Sequence, residues 1–389
     1  MDNNRYNKRG VSASKSEIHG AIKNLSRGLY PNAFCKILPD IAGNDDAFVN
    51  IMHADTAGTK TSLAYIHWRE TGDMSVWEDI VQDAIVMNID DMACVGATEN
   101  IIISSTIGRN KHLISGDIIS KLINASQAFI DKMKDFDVFM HLAGGETADV
   151  GDIVRTVDVG ITAFARLKKE DLVVNDIKDK DVIVGLASFG QAIYEDDYNS
   201  GMGSNGLTSA RHDIFNSIYR KKYPESYAPE TVGDLIYSGK KLLTDKIDIE
   251  GKSIDIGKFV LSPTRTYLPV INEILKLHRK NINGIIHCTG GGQTKVMKFV
   301  QNKRIIKDTL FPTPELFTLI QKESHTGWKE MYEVFNMGHR MEIYLPERFA
   351  RDIIDIASNF NIDAKIVGNV EDAVQNELII KDINGEYRY

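Results

Sequence analysis

The chain has 389 residues, of which 43% are hydrophobic and 26% charged, and its formal net charge is -8. Such a composition excludes wholesale disorder, and the length exceeds one ordinary core, so two domains are expected. The negative balance argues against nucleic acid as the main partner, but not against a small phosphorylated ligand held by local cations and backbone N–H groups.

Ala47 to His53 reads as a strand running into Asp55. Trp77 to Val95 reads as a helix, with Ile80, Ala84 and Met87 on one face. Ile114 to Met133 is a second helix, and Asp137 to Leu142 a strand that runs into the turn Gly144-Gly145. Val154 to Leu167 is rich in β-branched residues. The charge run Lys168 to Asp171 marks the boundary, giving domains 1–168 and 169–389. The second begins with the strand Val182 to Leu186 and ends with the helix Glu347 to Asn359, the strand Ala364 to Val367 and a polar tail. Alternation of strands and helices makes the class mixed α/β.

Between Phe189 and Asn205 lies a polar, glycine-containing loop in which Glu195, Asp196, Asp197, Gly201 and Gly203 read as solvated, as in a loose lid. Three cysteines, Cys35, Cys94 and Cys288, form no CxxC pair, which fits a reducing compartment. No apolar run approaches the ~20 residues that span a bilayer. Met1 to Ser14 lacks the apolar core of a signal peptide, so the expectation is a cytoplasmic protein with no membrane partner.

Four clusters could carry chemistry. In HADTAGTKTSLAY, His53 to Tyr65, a strand-end Asp55 precedes Gly58, Thr59 and Lys60. A carboxylate, backbone N–H groups and a cation together suit a metal-bound polyphosphate, although the stretch is no Walker A motif. A strand-to-turn with a solvated lysine is the plainer alternative. In MNIDDMACVGA, the apolar stripe Ile80, Ala84, Met87 continues to Asp91. An acid on a buried stripe is costly unless solvated or bound to a cation; the helix could instead end early and leave both Asp90 and Asp91 wet. In HLAGGETADV, the glycines allow a turn that presents Glu146, which could also be an exposed turn residue. In IIHCTGGGQTKV, an apolar strand ends in His287, and Gly290, Gly291 and Gly292 open the next helix, a ready anion site. The ring of His287 is expected in the cleft at the strand end; a satisfied core histidine is the alternative. Three acidic clusters suggest hard oxygen ligands and magnesium on nucleotide phosphates, and nothing has zinc spacing.

HADTAGTK, DDMACVGA, GGETA, SPTRTY (Ser262 to Tyr267), HCTGGG and FNMG (Phe335 to Gly338), in this order, resemble the aminoimidazole ribonucleotide synthetase, or phosphoribosylformylglycinamidine cyclo-ligase, family from about Tyr6 to Gly368. The resemblance implies a two-domain ATP-using synthetase fold, with an N-terminal sheet domain that forms a dimer barrel and a C-terminal α/β domain. It implies ATP-driven ring closure of formylglycinamidine ribonucleotide by a magnesium-dependent homodimer. Asp55, Asp91 and Glu146 would be the metal acids. Lys23 and Lys60 would face the nucleotide with Gly58, Thr59, Gly144, Gly145 and Thr147. His287, Lys60 and Asp91 would be catalytic. Ser204, Asn205, Gly206, Thr289, Gly290, Gly291 and Asn336 would bind the phosphorylated substrate. Three departures stand out: LYPNAFCKILP (Leu29 to Pro39) replaces a glycine-rich loop, Asp90 replaces asparagine, and GMGSNG puts Gly203 where the family's PHSNG has histidine. A related phosphoryl-transfer enzyme for another small substrate, or a non-catalytic nucleotide-binding relative, are the alternatives.

Overall fold

The computed structural model describes residues 8–11, 20–21 and 24–389. Its first half is a five-stranded sheet in the order β1-β2-β5-β3-β4, formed by β1 (Ile37–Pro39), β2 (Phe48–Thr56), β3 (Ile101–Arg109), β4 (Met140–Asp149) and β5 (Val157–Lys168). Only β3 and β4 pair in parallel. In β5, Val157, Val159, Ile161, Ala163 and Ala165 are buried while Asp158 and Arg166 are exposed. This period-2 pattern puts one face under helices and leaves the other open.

The covered face meets α1 (Lys60–Thr71), α2 (Val76–Ala93) and α3 (Gly116–Lys134). Almost every residue of α2 is buried, including Asp83, Asn88, Asp90 and Asp91. A helix buried all round is a core element, and α2 lies between the first sheet and the second half of the chain. On the open face Met52, Phe164 and Ile102 stand side by side in register. Met52 is 62% and Ile102 43% exposed.

The second half is built on a seven-stranded sheet, order β11-β13-β6-β14-β12-β15-β16. Its strands are β6 (Asp181–Ala187), β11 (Gly284–His287), β12 (Lys303–Lys307), β13 (His339–Pro346), β14 (Ala364–Asp372), β15 (Glu377–Asp382) and β16 (Gly385–Arg388). The short β7 (Phe189–Gly190) pairs with β8 (Asn199–Ser200), and β9 (Lys246–Ile249) with β10 (Lys252–Asp255). Strand β6, DVIVGLA, is buried on both faces, as a central strand should be. Helix α4 (Leu207–Ile214) follows the loop after β8, α5 (Leu268–His278) packs near α2, and α6 (Ala350–Asn359) lies against β6. No helix among the described residues is long and apolar enough to cross a membrane.

Three expectations are corrected. Gly144 and Gly145 do not end β4: the strand runs through them to Asp149 with a bulge against β3. Gly144 has φ +94, and a Cβ on Gly145 would lie 2.2 Å from the Ser105 carbonyl oxygen, so both positions need glycine. The triple glycine does open a helix, Gly292–Lys298, of the 3-10 type. The polar tail is instead β15 and β16, zipped onto the sheet edge. Finally, the 189–205 loop is anchored. Asp196 and Asp197 are exposed as expected, but Gly201 and Gly203 are buried, and Glu195 pairs with the buried Arg265 at 2.5 Å. Asn199 donates to the Pro263 carbonyl at 2.8 Å and Ser200 N to Ser262 Oγ at 3.2 Å.

Candidate active site

The end of β2 carries His53 and Asp55 on the helix-covered side of the sheet, two residues apart and therefore on one face. His53 Nδ1 lies 2.9 Å from Asn88 Oδ1 and Nε2 3.3 Å from Asp91 Oδ2. Asn88 donates its amide to the Ala84 carbonyl at 2.9 Å, which fixes Oδ1 as an acceptor. Both ring nitrogens of His53 thus face acceptors, an arrangement satisfied only by the imidazolium. Burial alone would lower the pKa of His53, but its hydrogen bond to Asp91 and that group's charge outweigh burial and raise it.

Across the carboxylate, Asp91 Oδ1 lies 2.7 Å from His287 Nδ1. Asp91 therefore bridges an imidazole from each half of the chain. Burial pushes its carboxyl up, yet the hydrogen bonds from His287 and His53 prevail and hold it well below the usual carboxylate range. His287 itself is fully buried, not open to the cleft as its place at a strand end suggested, because α2 packs across that end. Its Nε2 has no hydrogen-bond partner among the described residues.

Two further acids of α2 are held by the SPTRTY segment. Asp83 and Asp90 are seven residues apart, two turns along one face. Asp83 Oδ1 accepts from Lys60 Nζ at 2.8 Å, from Thr264 N at 2.8 Å and from Thr264 Oγ1 at 2.6 Å. Lys60 also donates to the Ser262 carbonyl at 2.5 Å. Asp90 accepts from Thr266 Oγ1 at 2.7 Å and Tyr267 N at 3.0 Å. Burial raises the pKa of Asp90; the charges of His287 and Arg340 pull partly against that rise.

Residues 43–167 match the family description "AIR synthase related protein, N-terminal domain". The phosphoribosylformylglycinamidine cyclo-ligase of Methanococcus maripaludis strain C6 is 30% identical over 304 residues, which cover 75% of this chain and 71% of the relative. The chain belongs to the phosphoribosylformylglycinamidine cyclo-ligase family. The namesake from Methanocaldococcus jannaschii is 27% identical over 84% of this chain and 79% of its own. This cyclo-ligase family member is thus a ligase-class enzyme of purine biosynthesis. Two solved structures share the fold: T. maritima PurL complexed with FGAR (TM-score 0.51, 13% identity) and AaThiL complexed with AMPPCP and TMP (0.51, 11%). The alignment covers 88% of this chain but 45% of PurL, so the chain spans less than half of that protein, and 97% of this chain and 96% of AaThiL.

In this family member the sequence-derived residues fall into three places. Gly58, at φ +61, and Thr59 form the turn after β2, and Thr59 Oγ1 meets Thr208 Oγ1 of α4 at 2.7 Å. Asp55 lies half-buried beside that turn, and its Oδ1 accepts from Thr56 N at 2.8 Å. Lys60 is wholly buried, so its ammonium serves the contact between the halves and not an open nucleotide cleft. Glu146 and Thr147 are exposed on β4. Register aligns Thr56, Gly160, Thr106 and Glu146 in one row, so Glu146 points to the open face while Asp55 points to the covered one. The three proposed metal acids are therefore not gathered within one chain, and no cluster of three metal-ligating side chains forms among the described residues. Lys23 lies outside the described residues.

The residues that the resemblance put on the substrate side lie in the second half. Asn336 donates to the Gly201 carbonyl at 2.9 Å and accepts from Ser188 Oγ at 2.7 Å. Gln293, just after Gly290, Gly291 and Gly292, donates to the backbone carbonyls of Asn336 and His339. Lys307 and Glu342, both fully buried, brace Gln293 and His339. Thr289 is buried beside them, and Asn205 Nδ2 is 3.5 Å from where a Cβ on Gly290 would be. Gly206, at φ +80, packs on the Phe335 ring. Sequence reasoning missed the roles of Asp83, His53, Arg340 and the Lys307–Glu342 pair. Helical spacing from Asp83 to Asp90 could have revealed the first; the others depend on contacts far apart in sequence.

Proposed function

We propose that the chain closes the imidazole ring of formylglycinamidine ribonucleotide, using ATP and releasing ADP and phosphate. Family membership supports this reading, and the observation that carries it is the carboxylate of Asp91 held between His53 and His287 beside the Asp55–Gly58 turn. ATP would phosphorylate the formyl oxygen, making it a good leaving group, and the neighbouring nitrogen would then attack. The Gly58–Thr59 turn offers backbone N–H groups for phosphate. His53, charged beside Asp91 and partly exposed, is suited to hold or give up a proton during closure, and the buried His287 braces the Asp91 carboxylate from the other side.

Magnesium usually takes one or two carboxylates, substrate phosphates and water, not an all-protein cage. Asp55 fits that mode. The oxygens of Asp91 are occupied by two imidazoles, and Glu146 is on the other sheet face, about 14 Å away at three strand spacings. When bound, the metal would neutralise charge on the phosphoryl oxygens. Incubation of the pure protein with ATP, magnesium and formylglycinamidine ribonucleotide should yield aminoimidazole and ADP in equal amounts. ADP without aminoimidazole would assign a different acceptor.

The working form would be a cytoplasmic homodimer. The open row of Met52, Phe164 and Ile102 fits a second copy of the same face, the commonest closed symmetry. Such pairing would also enclose Glu146. Light scattering at micromolar concentration should return twice the 43.5 kDa chain mass; the single-chain mass would refute the dimer.

A further inference from the structure

Strand β13 has a bulge at Arg340: His339 pairs with Ala187 and Met341 with the adjacent Leu186, leaving Arg340 as the extra residue. Bulges re-aim side chains. His339 and Glu342 meet at 2.9 Å on one face of the strand. Met341 is on the other face, in register with His287 and 3.8 Å from Cys94 Sγ. Arg340 is turned to that same side, where its guanidinium lies 5.5 Å from the Tyr267 ring centroid.

Arg340 is only 2% exposed. Its Nη2 donates to the Arg265 carbonyl. Nε and Nη1 are buried with no hydrogen-bond partner among the described residues. The oxygens of the nearby Asp90 are already taken by Thr266 and Tyr267. A buried cation with two idle donors is costly unless something else fills them. The segment beside it is Gly203-Ser204-Asn205. A Cβ at Gly203 would lie 3.4 Å from Arg340 Nη1, an ordinary contact, so the segment in which glycine stands in place of the family's histidine lies against the guanidinium. The Ser204 hydroxyl is also buried without a partner among the described residues.

We propose that Arg340 Nε and Nη1, with Ser204 Oγ, form a phosphate-binding site of the reaction centre. A guanidinium edge presents two parallel N–H groups that match two phosphate oxygens. The phosphate is either the monoester of the nucleotide substrate or the phosphoryl group in transfer. This rests on the reading that the reactants are phosphorylated, and it deepens that reading by naming the group that holds them.

The test compares wild type with Arg340→Lys, which keeps the charge but loses the fork, and Arg340→Met. Inorganic phosphate should raise the melting temperature of wild type, and both variants should lose that shift. In steady-state kinetics, a monoester site raises KM for formylglycinamidine ribonucleotide by about 10²-fold and leaves KM for ATP alone. A phosphoryl site lowers kcat by a similar factor with both KM values kept. A folded variant that keeps the phosphate shift, and both KM values and kcat within twofold of wild type, overturns the proposal. Phosphate binding through Arg340 in a protein that forms no aminoimidazole would instead overturn the reaction assigned above, and leave this site standing.

Discussion

Asp91→Asn is expected to lower turnover by about 10²- to 10⁴-fold, the range for a positioned acid–base unit. Two imidazole N–H groups, from His53 and His287, converge on the two oxygens of Asp91. Asparagine offers one oxygen and one NH₂. It can satisfy one ring only by opposing the other, so a tautomer must change or a contact must break. The substitution also leaves the His53 imidazolium without its counter-charge. Hydrogen bonds to charged groups are worth about 1.5–3 kcal/mol each, so stability should fall as well, and turnover is compared per folded molecule. The pH profile of stability gives a second readout. Burial would lower the pKa of His53, but Asp91 raises it above its unfolded value. Its contribution is therefore complete below the unfolded pKa of about 6.5 and fades as pH rises through the higher folded value. That alkaline decline should be missing from the melting curves of the variant. Turnover above about a tenth of normal, per folded molecule, would remove Asp91 from the chemistry.

Lys60→Met is expected to cost about 3–5 kcal/mol of stability, because it strands the carboxylate of Asp83 in a dry interior. The double variant Lys60→Met/Asp83→Asn should recover most of that loss. An asparagine carbonyl can still accept from Thr264 N and Oγ1, and no unpaired charge remains. Denaturant midpoints of the single and double variants measure the difference. A lysine that served the nucleotide would behave in the opposite way: turnover would collapse in both variants while the midpoint of the single variant held.

Much of the fold was legible because it is written locally. The helix expected over Trp77 to Val95 spans Val76–Ala93, and the strand expected over Val182 to Leu186 spans Asp181–Ala187. Apolar spacing of 3.6 or 2 is a short-range signal. The acid on the buried stripe of α2 was legible for the same reason, and Asp91 is indeed buried. What the stripe could not disclose was the partner. His287 is 196 positions away, and nothing near it in sequence announces that a helix will cover its ring. Lys60 looked like a cation beside a phosphate turn, but Asp83 and Ser262 were out of view. The Gly144-Gly145 pair has the composition of a turn, yet pairing with β3 carries the strand through it. The aim of Arg340 depends on a bulge set by register with β6, which periodicity does not encode.

The stitching of α2 to the segment around residues 262–267 also sets a timetable for synthesis. The hydrogen bonds that satisfy Asp83 and Asp90 join residues 181 and 176 positions apart, and the second bond of Lys60 spans 202. At about 5–20 residues per second, the ribosome delivers the partners roughly 10–40 s after the acids have emerged. Throughout that interval α2 carries carboxylates that cannot be seated in an apolar interior without ionic loss. Until SPTRTY clears the exit tunnel, Asp83 has Lys60 as its partner in the first half, but Asp90 lacks the hydroxyl and backbone N–H that seat it in the finished fold.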